Sequence, residues 1–265
     1  YSILLVSIFL TIASFGRKCE GITNTPTNLP LDSGVYCIGP SAHYTAPGGG
    51  IYKNGDSAFS SVAAAVTYLN EYGTEGNVIF EIQNDYDGSL EPDHISITYH
   101  GSPNKIATFR VRIDRTSPFV IEKENNNSGD ILGMLDFYSA AYIQFDGTIN
   151  NVANKNRGIV IRNIGNATNN ISFRESSHIS LNNISLEIAE NGKGVLNYAQ
   201  ASVYGNEYIT MDDCKFAGHT LGSYGYYEDG VYLGTHNVNT TIINNEFDNC
   251  ITSIQGSVSP DAESF

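Results

Sequence analysis

Short apolar runs recur along most of the chain, separated by Gly, Asn, Asp, Ser and Thr and not by helix-length segments. The runs at 78–82, 95–99, 106–113, 119–121, 134–137 and 142–145 are rich in β-branched and aromatic residues and read as strands. Those at 158–161, 171–173, 179–188, 209–211, 231–233, 241–243 and 251–255 continue the series. Hairpin turn dipeptides are scarce between them, which argues against neighbours pairing antiparallel. One stretch breaks the pattern. Phe59, Val62, Val66 and Leu69 recur at helical spacing, and Asp56 or Ser57 would serve as N-cap, so a helix is expected over 56–70. A short run at 35–38 within the Pro-, Thr- and Gly-rich stretch 17–50 reads as a first strand in a linker.

Three later strands run into a polar pair: Asn182-Asn183, Asp212-Asp213 and Asn244-Asn245, at intervals of 30 and 32 residues. Each pair is followed by an apolar position, Leu186, Phe216 or Phe247. A strand, polar pair and strand repeating at this period mark a solenoid, because one rung cannot bury its inward side chains whereas stacked rungs share a core. Asn and Asp suit the bends because they tolerate left-handed backbone and bond from rung to rung. The expected fold is therefore all-β, a right-handed parallel β-helix over 51–265 with an N-terminal capping helix. Ile179, Leu181, Ile209, Met211 and Ile243 are its expected inward positions.

The chain resembles the secreted right-handed β-helix repeat proteins of the pectate-lyase-like superfamily, in particular large surface proteins of Bacteroidetes-type bacteria. The resemblance rests on Tyr36-Cys37-Ile38-Gly39-Pro40, on the helical stretch followed by Gly76-Asn77-Val78-Ile79-Phe80-Glu81-Ile82, and on Ala141-Tyr142-Ile143-Gln144-Phe145-Asp146-Gly147-Thr148; it extends over about 34–255. It implies a helix closing the N-terminal end of the solenoid. It leaves activity open, since such folds host lyases, hydrolases, esterases, adhesins and spacers. Family members usually continue through more rungs than this chain has, so it is read as a fragment of a longer protein.

Charge and composition narrow the function classes. Among 265 residues, 28 acidic and 14 basic side chains give a formal charge of −14, which argues against a nucleic-acid partner. The apolar run 3–15, too short for a membrane span of roughly 20 residues, reads as the core of a secretory signal cleaved after Gly16. The mature chain is thus expected to be secreted or on the cell surface, with no transmembrane segment. Cys19, Cys37, Cys214 and Cys250 lack a C-x-x-C spacing, so zinc is not expected; Cys19–Cys37 and Cys214–Cys250 are the most local pairings in an oxidising compartment.

Three constellations are candidates for chemistry. Lyases of the resembled family hold calcium against a uronate with clustered carboxylates, and Asp212, Asp213 and Asp229 are the acids that would serve; calcium is the one cofactor considered. Asp212-Asp213 also occupies the repeat position of Asn182-Asn183, which reads as a turn feature. Arg110 and Arg112 alternate with Phe109, Val111 and Ile113, so they face outward, either towards an anionic glycan or into pairs with nearby acids. Tyr224, Tyr226, Tyr227 and Glu228 fall in one tyrosine-rich loop, suited to stacking on sugar rings and equally to stacking between rungs. No H-E-x-x-H, G-x-S-x-G or phosphate-binding glycine loop is present. The expected function is a module for glycan contact, adhesion or spacing, with a polysaccharide lyase or related carbohydrate-active enzyme as the rival.

Overall fold

The computed structural model describes residues 30–39, 58–84, 86–124, 132–149, 157–164, 169–188, 193–197, 205–218, 229–234 and 236–256. The alternation of side chains decides each strand's two faces: in β3 (Val78–Ile82), Val78, Phe80 and Ile82 are buried while Ile79 and Glu81 face outward. A first sheet contains β1 (Gly34–Ile38), β2 (Ala58–Phe59), β3, β5 (Ala107–Val111), β8 (Ala141–Asp146), β11 (Ser177–Asn182), β14 (Glu207–Asp212) and β17 (Thr241–Ile243). The second is formed by β6 (Phe119–Lys123), β9 (Ile159–Asn163), β12 (Ile184–Glu187), β15 (Lys215–Ala217) and β18 (Glu246–Asp248). The third is formed by β4 (Ile95–Ile97), β7 (Gly133–Tyr138), β10 (Asn169–Arg174), β13 (Lys193–Asn197), β16 (Asp229–Leu233) and β19 (Thr252–Gly256).

All the strand pairs are parallel, and apart from β2, which adds to β1 at the edge of the first sheet, each strand bonds to strands a full coil away in sequence. The architecture is a right-handed parallel β-helix with a short early helix. Its core is built as ladders. Phe80, Phe109 and Phe145 stack at 4.7 and 4.8 Å with ring planes 19° and 12° apart, and Phe216 stacks on Phe247 at 4.8 Å. Offset ring stacking adds to the gain from area removed from water.

The helix starts later than the sequence suggests. It is α1, Val62–Tyr72, with Ser61 as N-cap, and its buried face is Val62, Ala65, Val66 and Leu69. Phe59, expected on that face, belongs instead to β2, where it pairs with Ile38 and fills the end of the core. The displaced start has a cause far away in sequence. The Glu91 carboxylate, buried, accepts the N–H groups of Val62 at 2.6 Å and Ala63 at 2.9 Å and the Tyr86 hydroxyl at 2.6 Å. A carboxylate there satisfies orphan donors and complements the helix dipole. At the far end Gly73, at φ 69°, donates its N–H to Leu69 and lets the chain turn away.

Ile179, Leu181, Ile209 and Met211 point inward and are at most 1% exposed. Ile243 does not: it is 46% exposed, and Ile242 pairs with Met211 and packs against the core in its place. The reason lies at the corner after the first sheet. Asn183, Asp213 and Asn244 are the left-handed residues, with φ of 53°, 50° and 57°, so the true interval is 30 then 31. Asn244 matches Asp213, and Asn245 turns to bond the rung beneath, accepting the Cys214 N–H at 2.7 Å and donating to the Met211 carbonyl at 2.9 Å. Matching the polar pairs as pairs shifts the last strand by one residue and reverses its faces.

The cysteines divide likewise. Cys37 is disulfide-bonded, to a partner outside the described residues. Cys214 and Cys250 are thiols and not joined as expected, because Cys214 lies at the corner before the second sheet and Cys250 at the corner after it. Burial pushes the Cys214 thiol up to about 11.

Candidate functional site: the outer face of the first sheet

In-register parallel pairing sets equivalent residues of successive rungs above one another, so the outward positions of the first sheet form rows. The first row is aromatic. Tyr142, His178 and Tyr208 each precede an inward isoleucine, and each has left-handed backbone, with φ of 60°, 54° and 54°. Their rings stack at 4.3 Å between Tyr142 and His178 and 4.7 Å between His178 and Tyr208. Bulky residues with positive φ are uncommon, so three in one column mark a strongly determined feature.

The second row is uncharged and polar. Thr108, Gln144, Ser180, Thr210 and Thr241 follow one another in register, with the Thr108 hydroxyl donating to Gln144 Oε1 at 3.3 Å. The third row is Asp146, Asn182 and Asp212. Together with Thr148, Asn183, Asp213 and Asn244 on the corner, it lines an open groove of about 520 Å³. Within the groove, Thr148 donates its N–H and hydroxyl to Asp146, Asn183 donates to the Thr148 hydroxyl oxygen at 2.9 Å, and Asn244 donates to Asp212 at 2.9 Å. Arg157 is a strut beneath it. Its guanidinium bonds the Asp213 carbonyl at 2.9 Å and carboxylate at 3.3 Å, and also Glu246 in the last rung at 3.2 Å.

The structure scatters the residues picked from sequence. Asp212, at the end of β14, and Asp213, on the corner, both line the groove. Asp229 is on the third sheet, 1% exposed, where Lys193 Nζ lies 3.0 Å from its Oδ2 and Oδ1 has no hydrogen-bond partner among the described residues. Arg110 faces outward and pairs with Glu81 at 2.8 Å. Arg112 falls beyond the end of β5, only 11% exposed at its side chain, and bonds Asp114 at 2.9 and 3.0 Å and Gln83 at 3.2 Å. Both guanidiniums thus have acidic partners on the protein. The Arg112 hydrogen bond, against the cost of burial, holds the Asp114 carboxyl below the usual range. Tyr224, Tyr226, Tyr227 and Glu228 lie outside the described residues.

Sequence reasoning missed the aromatic row, although a signal existed: Tyr142, His178 and Tyr208 stand one residue before Ile143, Ile179 and Ile209 in the same repeat alignment. Among the described residues, no three His, Cys, Asp or Glu side chains converge to hold a metal ion, and no helix is long and apolar enough to cross a membrane. Comparison of the chain with family models, curated proteins and solved structures finds no match. The chemistry is therefore read from the face itself. Ring edges, hydroxyls, amides and carboxylates lie in parallel columns, able to hydrogen-bond a polyhydroxylated chain at many points.

Proposed function

We propose that this chain is an exported or cell-surface β-helix module whose first sheet contacts glycan with its outer face, for adhesion or spacing and not for catalysis. The observation that supports it is the alignment of three columns, aromatic, neutral polar and acidic, beside an open groove. Sugars present apolar C–H faces and hydroxyl groups together, and a site of few rings with many acceptors answers both. Asp146, Asp212 and Asp213 in the groove favour neutral sugars over bare polyuronates. Export rests on the apolar run 3–15.

The test is titration of neutral and uronate oligosaccharides into the protein and into His178→Ala/Tyr208→Ala. A neutral glycan should bind, and the double substitution should weaken it by about tenfold, or ~1.4 kcal/mol. Preference for uronates would overturn the reading. So would a calcium-dependent rise of unsaturated chain ends that is lost in Asp212→Asn, which would instead establish the lyase.

A further inference from the structure

Rings that stack on one another leave their edges, not their faces, for a ligand. Tyr142, His178 and Tyr208 lie face to face at 4.3 and 4.7 Å, with planes 13° and 27° apart, so no sugar ring fits between them. His178 and Tyr208 are exposed and Tyr142 is half-buried. The column therefore offers one polar edge per rung, a phenol, an imidazole and a phenol, and none of the three side chains has a hydrogen-bond partner among the described residues.

The neighbouring column keeps the same interval. Gln144, Ser180 and Thr210 hold matching places on β8, β11 and β14, and Thr108 on β5 extends the row one rung earlier. Parallel strands sit about 4.8 Å apart, so both columns repeat a hydrogen-bonding group at that step along the solenoid axis. Along one strand the order is different, a ring, a neutral amide and an acid at Tyr142, Gln144 and Asp146. A ligand lying along the axis thus meets like groups at a constant interval, whereas one lying along a strand meets three unlike groups once each. Sugar chains joined through equatorial bonds at both ends of each ring are extended, and their rise per unit is close to one strand spacing. Chains joined through α-1,4 bonds coil and fall out of step.

We propose that the ligand of this face is an extended, diequatorially linked chain of neutral sugars lying along the solenoid axis, one unit per rung, its hydroxyls bonded to the Gln144–Ser180–Thr210 row and to the ring edges of Tyr142, His178 and Tyr208. The inference rests on the glycan reading above and adds the linkage and the direction of the chain. It also gives the left-handed backbone shared by the three ring residues a purpose, since the same unfavourable conformation on successive strands holds the rings in line at the interval of the rungs.

The probes are β-1,4-linked glucose and mannose oligomers of two to six units and α-1,4-linked glucose oligomers of the same lengths, titrated calorimetrically into the full chain. A β-linked series should bind as one chain per protein, at least about tenfold tighter at four units than at two, and the α-linked tetramer should bind at least about tenfold more weakly than its β-linked counterpart. Gln144→Ala and Thr210→Val, two rungs apart, should each weaken the β-linked tetramer by about threefold to tenfold, and their effects should multiply because one chain touches both. Affinity independent of length, equal binding of the two linkages, or sensitivity to only one of the two substitutions would overturn the axial placement and leave the glycan reading in force. So would a failure of both β-linked series to bind where another neutral glycan does. Absence of binding by every neutral glycan would overturn the glycan reading and the placement together.

Discussion

Asp136 shows how much one buried side chain organises here. It is 1% exposed, yet Arg174 bonds both of its oxygens at 2.5 and 3.1 Å, the Ser172 hydroxyl donates at 2.6 Å, and the His94 ring lies 3.9 Å away. Burial opposes ionisation, but the neighbouring His94 ring and the bonds from Arg174 and Ser172 prevail and hold the carboxyl below its usual range. The sign follows from proton uptake: the unfolded chain takes up the proton first as pH falls, so the carboxylate's contribution is complete above about 3.9 and is lost as pH drops through the lower folded value. Asp136→Asn leaves the Arg174 guanidinium without its counter-ion and should cost about 3 kcal/mol at neutral pH. Urea midpoints measured from about pH 6 to about pH 2 should fall steeply in the native protein and less so in the variant. Parallel profiles would remove Asp136 from the acid response.

Among the elements, α1 is the test of closure. Val66 is 2% exposed and Leu69 fully buried, both against the end of the stack. Val66→Asp places an unpaired carboxylate there and should cost about 4 kcal/mol or prevent folding; unchanged thermal unfolding would show that the helix does not close the core. How well each element can be read from sequence depends on where its determinants lie. Strands with strict alternation, such as 78–82 and 142–145, declare themselves because one face is core. The start of α1 does not, since Glu91 sets it from 29 residues away. Ile243 misleads because Asn244-Asn245 resembles the earlier polar pairs, whereas Asn244 stands at the place of Asp213 and Ile243 at that of the outward Asp212. At the face of the first sheet, Asp212 and Asp213 were legible as repeat features, but the column Tyr142, His178 and Tyr208 becomes visible only when the coils are laid over one another.

At the scale of the molecule, each rung touches chiefly the rung before and after, so stability is a sum of neighbour terms and varies along the axis. Rungs with partners above and below should be the most protected, and the last the least. Hydrogen exchange should therefore be slow across β11, β12 and β14 and at least about tenfold faster across β17, β18 and β19, read by mass spectrometry of proteolytic peptides. Uniform protection would mean that the whole molecule opens as one unit. The direction of the hydrogen bonds has a mechanical consequence. They run from coil to coil along the long axis, so a pull applied at β19 loads them one strand at a time, as thread leaves a spool, and never a whole sheet in shear. The molecule would unwind at low force from β19 backwards, and the tension would reach the Phe80–Phe109–Phe145 column and the helix beyond it last of all.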